Sequence, residues 1–308
     1  MCLFMYKKLY KFFIILFLLF AYNAYGLTYL FSHGFADRSK QVNRYVKEYR
    51  TRRGKIKKNK FYIIDGKIKV FNYPDAACKP FVNIFKACLG QEKDLQALRR
   101  AYHQIDDDEI VLVGVSRGAS TIATFMGVDK PKKIKAVVLI SPFDHLINVF
   151  KPTRFSRFLY RLFKKLSCFN ENGKHPIDWM CKMDKTIPII FVCSKIDKTV
   201  PCRSTINLYR SLVTHGHKKV YLLCLPEGKH AKLLKSSCAE MFQNIVHAFY
   251  CAYNLPNNGE FACMGKKLLE KCAYFQEGHK DKDIEDMGQN GDNGLPDAFI
   301  TILAYLTL

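Results

Sequence analysis

The sequence predicts an α/β fold in which an open, mostly parallel sheet is flanked by helices and carries a small helical lid. Apolar runs of strand length alternate with segments of helical spacing through most of the chain. One run, residues 110–113, is apolar on both faces, which is typical of a strand in the middle of a parallel sheet. We expect one α/β domain over residues 27–254, with its lid at about 145–185, and a partly flexible C-terminal extension over 255–308.

The predicted elements alternate between strand and helix along the chain. They are a strand at 27–31, a helix and basic loop at 38–60, a helix at 92–103, strands at 110–113 and 134–140 around a helix at 118–126, an amphipathic helix at 153–167, strands at 187–192 and 220–225 around a helix at 204–213, and a closing helix at 236–253. Residues 61–64 and 69–71 flank Asp65-Gly66, a dipeptide typical of hairpin turns, although residues 70–72 equally fit a central strand.

The predicted lid helix has two chemically different sides. Its apolar residues on one side are Phe155, Leu159, Leu162 and Leu166, and the cations that fall largely elsewhere are Arg154, Arg157, Arg161, Lys164 and Lys165. Such a helix either packs on the body of the protein or lies on an anionic membrane surface. The sequence leaves both interpretations open.

The chain is strongly basic, with 49 lysine and arginine residues against 27 acidic ones and a formal net charge of +22. Such a charge attracts nucleic acid, anionic lipid or acidic substrates through long-range fields. The sequence has no zinc-finger, aromatic RNA-binding or basic-zipper signature, so we expect no specific nucleic-acid binding. An anionic membrane surface remains a candidate partner.

Residues 1–26 are typical of a signal peptide. Three lysines within the first eleven residues precede an apolar run at 12–22, and small residues follow it. A helix of that length rises only ~16 Å, whereas a bilayer core needs about 20 residues. We therefore expect cleavage and export to the periplasm or the exterior, with an uncleaved N-terminal membrane anchor as the alternative.

The chain has twelve cysteines, and in an exported protein this number favours disulfides. Cys2 leaves with the signal peptide, so the remaining eleven cannot all pair. Cys193 and Cys224 lie within apolar runs, where a cysteine is usually an inert core residue. The sequence does not determine the disulfide connectivity.

The C-terminal extension includes a stretch at 281–294 that is rich in Asp, Gly and Asn and is expected to be flexible. Its spacing partly matches a calcium-binding loop, but Gly288 stands where an oxygen ligand is required. The sequence therefore predicts no metal site.

Gly114-Val115-Ser116-Arg117-Gly118 fits the pattern G-x-S-x-G, and it lies between a predicted strand and a predicted helix. A serine at such a sharp turn has a strained backbone. Glycines are needed on either side because a Cβ there would collide with the neighbouring strand or helix. Ser116 is therefore the candidate nucleophile.

Serine is a weak nucleophile near neutral pH, so it needs a general base and an acid that orients the base. Asp197 and His230 each follow a predicted strand, at the carboxyl edge of the sheet where such residues meet. Asp144, after the strand at 134–140, is the competing acid. His215 and His217 precede a strand and so lie at its wrong end.

The order serine, acid, histidine resembles that of the α/β-hydrolase family, and the resemblance covers roughly residues 27–253. In that family a loop after an early strand contributes an amide to the oxyanion hole, and His33-Gly34-Phe35 resembles this element. The resemblance implies that Phe35 and Arg117 donate their backbone N–H groups to the oxyanion. It also implies that His33 shapes the loop.

We expect hydrolysis of a carboxylic ester or a related small acyl substrate through an acyl-enzyme on Ser116. His230 activates water in the second half, and the chemistry needs no cofactor or metal ion. A serine peptidase that acts on short peptides is the alternative enzyme, because the same residues serve both bonds. The alternative from another class is a non-catalytic, basic surface-binding protein that attaches through residues 50–60 and 154–165.

Overall fold

The structure is a computed structural model that describes residues 26–35, 37–77, 86–150 and 154–274. Its strands are β1 (Leu27–Ser32), β2 (Glu48–Arg50), β3 (Ile56–Lys58), β4 (Lys67–Val70), β5 (Glu109–Val115), β6 (Ile134–Ile140), β7 (Ile189–Ser194) and β8 (Val220–Leu225). Its α-helices are α1 (Glu92–His103), α2 (Arg117–Asp129), α3 (Arg154–Leu166), α4 (Pro176–Trp179), α5 (Cys202–Thr214), α6 (Ala239–Ala252) and α7 (Gly259–Tyr274).

Two sequence predictions concern residues outside this set. The predicted signal peptide, apart from Gly26, and the predicted flexible stretch at 281–294 with Gly288 lie beyond the described residues. Among the helices that are described, none has both the length and the apolar character needed to cross a membrane.

The main sheet has six strands in the order β4-β1-β5-β6-β7-β8, and every neighbouring pair is parallel. This confirms the predicted fold class. β5 lies inside the sheet, and its residues Ile110 to Val113 have no exposed surface. A strand that is buried on both faces must be apolar throughout, which is the pattern that the sequence shows.

Helices cover both faces of the sheet. Alternate residues of each strand face opposite layers, so that Phe31 and Val113 meet α6 and α7 while Leu30 and Leu112 meet α1, α2 and α5. A third, smaller apolar cluster lies under the lid and contains Phe143. The sheet is therefore the middle layer of three.

The hairpin predicted around Asp65-Gly66 is wrong. β4 pairs parallel with β1 at the edge of the main sheet, and of residues 61–64 only Ile64 makes an isolated bridge, to Val46. Tyr62, Ile63 and Ile64 are all buried, a pattern that a hairpin strand with one solvated face does not accommodate. The alternative, a central strand at 70–72, is also wrong, because the strand ends at Val70 and lies at the edge of the main sheet.

The basic segment 38–60 differs in part from its prediction. It begins with a short 3₁₀ helix, Ser39–Arg44, and then forms an exposed antiparallel ribbon from β2 and β3. The ribbon is separate from the main sheet. We call residues 50–60 the basic ribbon.

The lid lies between β6 and β7 and contains α3 and α4. α3 buries Leu159, Tyr160 and Phe163 against the third apolar cluster, while Leu162 and Leu166 are half-buried. The buried side is thus rotated from the predicted one, and Phe158 is exposed. The side chains of Arg154 and Phe155, which the sequence analysis also assigned to this helix, lie outside the part of the chain that the structure describes.

α7 belongs to the predicted C-terminal extension, and it packs against α6 and β8. Gly265 lies so close to α6 that a Cβ would stand 2.0 Å from the carbonyl oxygen of Asn244. Leu269 and Cys272 enter the same apolar cluster as α6. The first part of the extension is therefore a packed helix.

Candidate active site

The predicted site residues meet at the carboxyl edge of the main sheet. Ser32 at the end of β1 is level with Gly114 in β5, and Ser194 at the end of β7 is level with Leu225 in β8. The segments that follow these strands therefore leave from one edge. This is the edge where open α/β sheets bind their ligands.

Ser116 occupies the sharp turn between β5 and α2. Its φ is 53° and its ψ is −120°, a conformation that is rare for a residue with a Cβ. A Cβ on Gly114 would lie 2.6 Å from the Cα of Ala119, and one on Gly118 would lie 2.1 Å from the carbonyl oxygen of Ser32. Both glycines are therefore required by the close approach of helix and strands.

A chain of hydrogen bonds joins Ser116, His230 and Asp197. The Oγ of Ser116 lies 2.8 Å from Nε2 of His230, and Nδ1 of His230 lies 2.7 Å from Oδ2 of Asp197. An ionised carboxylate only accepts, so Nδ1 carries the proton and Nε2 is free to accept the hydroxyl proton. The backbone N–H groups of Thr199 and Val200 donate to Oδ1 of Asp197, which fixes the carboxylate.

The competing residues lie elsewhere. Asp144 accepts hydrogen bonds from the side chains of Asn148 and Asn207 and from the backbone N–H of His145, whereas the described hydrogen bonds of His230 go to Ser116 and Asp197. The ring of His217 is close to the carbonyl oxygen of Cys181.

The loop after β1 lies against Ser116. Gly34 is held by a 2.8 Å hydrogen bond from its backbone N–H to the side chain of Gln41, and a Cβ on it would stand 3.5 Å from the Cβ of Ser116. His33 bonds to the Gly34 carbonyl through Nδ1, and burial lowers the pKa of its imidazole to about 4. A neutral, buried His33 fits the loop-shaping role that the resemblance implies.

The two amides assigned to the oxyanion hole belong to Phe35 and Arg117. Arg117 is the first residue of α2, so its backbone N–H has no acceptor within the helix. Phe35 is half-buried, and both residues line the pocket beside Ser116.

The guanidinium of Arg117 forms a buried ion-pair cluster that sequence reasoning missed. It donates to both carboxylate oxygens of Asp75 and of Asp94, over distances of 2.6–2.7 Å. Burial alone lowers the pKa of a guanidinium, but the two carboxylates raise the pKa of Arg117 above its usual value. One signal was present, because Asp94 shares the buried side of α1 with Leu98.

A pocket with apolar walls opens beside Ser116 and has a volume of about 60 Å³. Its apolar lining consists of Phe35, Leu89, Phe143, Leu146, Val149, Phe150, Phe163 and Val200. The lining residues that the structure describes include one with a charge, Arg117, whose guanidinium is committed to Asp75 and Asp94.

Cys193 at the end of β7 lies in the core, as predicted, and a disulfide joins it to Cys202 at the start of α5. The free thiol of Cys224 lies 3.4 Å from the sulfur of Cys193, and burial raises its pKa to about 12. In the described part of the chain, the sulfurs of Cys193, Cys202 and Cys224 form a group whose spacing would suit a metal ion. The disulfide occupies two of the three.

The sequence profile of the prolyl oligopeptidase family (Peptidase_S9) matches residues 91–253, which is more than half of the 308 residues. The match begins just before α1 and ends just after α6, and it includes Ser116, Asp197 and His230. No curated protein matches the chain by sequence.

Solved structures with similar folds include the esterase Pf2001 of Pyrococcus furiosus, which is 16% identical with a TM-score of 0.50 over 75% of this chain and 84% of that one. The acylaminoacyl peptidase of Pyrococcus horikoshii is 14% identical with a TM-score of 0.51, over 73% of this chain and 37% of that one. The chain thus spans little more than a third of the peptidase. At such identities the likeness concerns the fold, which is that of the α/β hydrolases, and the profile match shows that this chain belongs to the prolyl oligopeptidase family.

Proposed function

We propose that this protein is a serine hydrolase that cleaves esters of apolar carboxylic acids through an acyl-enzyme on Ser116. One observation carries the proposal. The hydrogen-bond chain from Asp197 through His230 ends at the Ser116 hydroxyl, and that hydroxyl lines a pocket with apolar walls. This arrangement supplies a nucleophile, a base, an orienting acid and a place for an acyl group.

In the first half of the reaction, Nε2 of His230 takes the hydroxyl proton as Oγ of Ser116 attacks the ester carbonyl carbon. The carbonyl oxygen becomes an oxyanion, and the backbone N–H groups of Phe35 and Arg117 are the proposed donors to it. Asp197 stabilises the imidazolium through Nδ1. The bond to the leaving alkoxide then breaks, and the alcohol departs with the proton from His230.

In the second half, a water molecule gives a proton to His230 as its oxygen attacks the acyl carbon. The second tetrahedral intermediate releases Oγ of Ser116, which regains its proton from His230. The products are a carboxylic acid and the free enzyme.

The pocket chemistry favours an ester with an apolar acyl group over a peptide with a free N-terminus. A peptidase that recognises an α-amino group needs a carboxylate to bind it, and the described lining residues offer none. Membership of the prolyl oligopeptidase family keeps peptide hydrolysis as the second candidate. The two differ in the bond that is cleaved.

The test compares p-nitrophenyl esters with aminoacyl-arylamides on purified protein. We expect ester hydrolysis, a loss of at least about 10³-fold in Ser116→Ala, and fluorophosphonate labelling of wild type but not of that variant. Ser237→Ala is the control for labelling, because Ser237 is an exposed serine that bonds to Glu227. Preference for the arylamides would indicate a peptidase, and folded wild type that takes no label would indicate the non-catalytic alternative.

The proposal includes export of the chain. The pattern of residues 1–26 supports it, and so does the disulfide between Cys193 and Cys202, because disulfides persist in oxidising compartments. N-terminal sequencing of the native protein tests it. A mature chain that starts near residue 27 is expected, and one that keeps residues 1–26 would favour the membrane-anchored alternative.

A further inference from the structure

Several large apolar side chains that stay exposed belong to segments that line the pocket. In the described residues five such side chains are exposed: Ile56, Ile147, Phe158, Ile196 and Met264. Three of them, Ile147, Phe158 and Ile196, belong to three of the segments that line the pocket. Exposure of this kind around a binding site is typical of a surface that contacts lipid or protein.

Each of the three is adjacent in sequence or in its helix to a residue that faces inward. Ile147 lies between Leu146 and Val149, which line the pocket, and Ile196 precedes Thr199 and Val200, which also line it. Phe158 lies on α3, whose Phe163 lines the pocket and whose outer side is solvated. The exposed side chains therefore lie on the outer side of the pocket wall.

The charges on these segments have one sign. The exposed cations on α3 and on the segment after β7 are Arg157, Arg161, Lys164, Lys165, Lys195 and Lys198. α3 contains no acidic residue, and Asp197, the one acid of the segment after β7, is turned inward to His230. Apolar side chains set among cations match the chemistry of an anionic bilayer surface.

We propose that the rim face, defined by Ile147, Phe158, Ile196, Arg161, Lys165, Lys195 and Lys198, docks on an anionic lipid membrane, and that the substrates are esters carried in that membrane. The identification of the substrate rests on the proposed function. Phe158 and its apolar neighbours enter the acyl boundary, while the cations contact the lipid phosphates. The mouth of the pocket then faces the lipids.

The basic ribbon is the rival surface. It carries the exposed cations Arg50, Arg52, Arg53, Lys55, Lys57, Lys58 and Lys60 and the exposed Ile56. Its charge is denser than that of the rim face, but none of its residues lines the pocket. Because it offers the same chemistry at another place, the basic ribbon is the matched control.

Tryptophan fluorescence distinguishes the two surfaces. The chain has a single tryptophan, Trp179, so a second one at a chosen position is read as the difference from wild type. We expect Phe158→Trp to show a blue shift when vesicles of phosphatidylcholine and phosphatidylglycerol are added, and Ile56→Trp to show none. The N-terminal apolar run is common to both variants, so its own affinity for lipid does not decide the result.

Charge neutralisation gives the second measurement. Arg161→Gln with Lys165→Gln should lower partitioning onto the same vesicles by about 25-fold at low salt, at about fivefold for each cation. Lys55→Gln with Lys57→Gln changes the net charge equally and should cost less than about fivefold. Hydrolysis of p-nitrophenyl palmitate in the vesicles should fall with the rim variant, while hydrolysis of soluble p-nitrophenyl butyrate stays at the wild-type rate.

The proposal is overturned if wild type does not bind the vesicles, if Ile56→Trp shifts, or if Phe158→Trp does not shift. Equal losses from the two charge variants would overturn it as well. The proposed function fails separately, when the soluble ester is not hydrolysed or its hydrolysis does not depend on Ser116. Vesicle binding is read without turnover, so the two failures are distinguishable.

Discussion

Asp75 accepts two hydrogen bonds of 2.7 Å from the guanidinium of Arg117, the residue that directly follows Ser116. Arg117 is also bound to Asp94 of α1, and the planes of Phe35 and Tyr73 lie near its charge. The turn that carries Ser116 is thus tied by charge to α1 and to the segment before it. A charged side chain that is fully buried depends on such partners.

Replacing Arg117 by methionine should lower the free energy of unfolding by about 3–5 kcal/mol, because two buried carboxylates lose their countercharge. Urea denaturation measures it. The control is Arg99→Met, which breaks a more exposed pair with Asp129 and should cost at most about 1 kcal/mol. Similar losses in both variants would mean that the buried cluster is not a special source of stability.

Asp197→Asn should lower kcat by about 10⁴-fold, because an amide at this position favours the wrong tautomer of His230. Asp144→Asn is the matched control, since Asp144 follows another strand of the same edge but bonds to Asn148 and Asn207. Its kcat per folded molecule should stay within about tenfold of wild type. A larger loss of kcat from Asp144→Asn than from Asp197→Asn would show that Asp144, and not Asp197, is the orienting acid.

Gly118→Ala should destabilise the fold by about 3 kcal/mol, because its Cβ would lie 2.1 Å from the Ser32 carbonyl oxygen and neither backbone can yield easily. Gly259→Ala is the control, since a Cβ there meets nothing within 4 Å. Thermal or urea unfolding of the two variants provides the comparison. An unaffected Gly118→Ala would show that β1 and α2 lie farther apart than the structure indicates.

His247 should make stability fall in mild acid. Burial lowers the pKa of its imidazole from 6.5 to about 4, so between these values the unfolded chain binds more protons than the folded one. The stabilisation is complete above pH 6.5 and is lost as the pH falls toward 4. Wild type should lose about 2 kcal/mol more than His247→Gln between pH 7 and pH 5, measured by urea unfolding. Equal losses would contradict the assignment.

The sheet and the position of Ser116 could be predicted because they follow from local patterns. A strand that is apolar on both faces needs a parallel sheet with two helical layers. The glycines at 114 and 118 indicate positions where two backbone segments lie too close for a Cβ. These constraints act within a few residues of each other. A single sequence therefore displays them.

The errors arose where distant residues decide the structure. Asp65-Gly66 has the chemistry of a hairpin turn, but burial of Tyr62, Ile63 and Ile64 takes precedence over turn propensity. Asp75 lies 42 residues from Arg117 in sequence, and no local pattern links the two. The side of α3 that is buried likewise depends on Phe150 and Phe169, which lie outside the helix.

The bond between Cys193 and Cys202 makes a covalent ring of the segment that carries Asp197, Thr199 and Val200. One wall of the pocket is part of this ring. Another wall, formed by Phe150 and Phe163, has no disulfide among the described residues and is held by side-chain packing and hydrogen bonds. We therefore expect a bulkier acyl group to displace the wall of Phe150 and Phe163 rather than the cross-linked wall. The range of acyl groups that fit is then set by how far Phe150 and Phe163 can move.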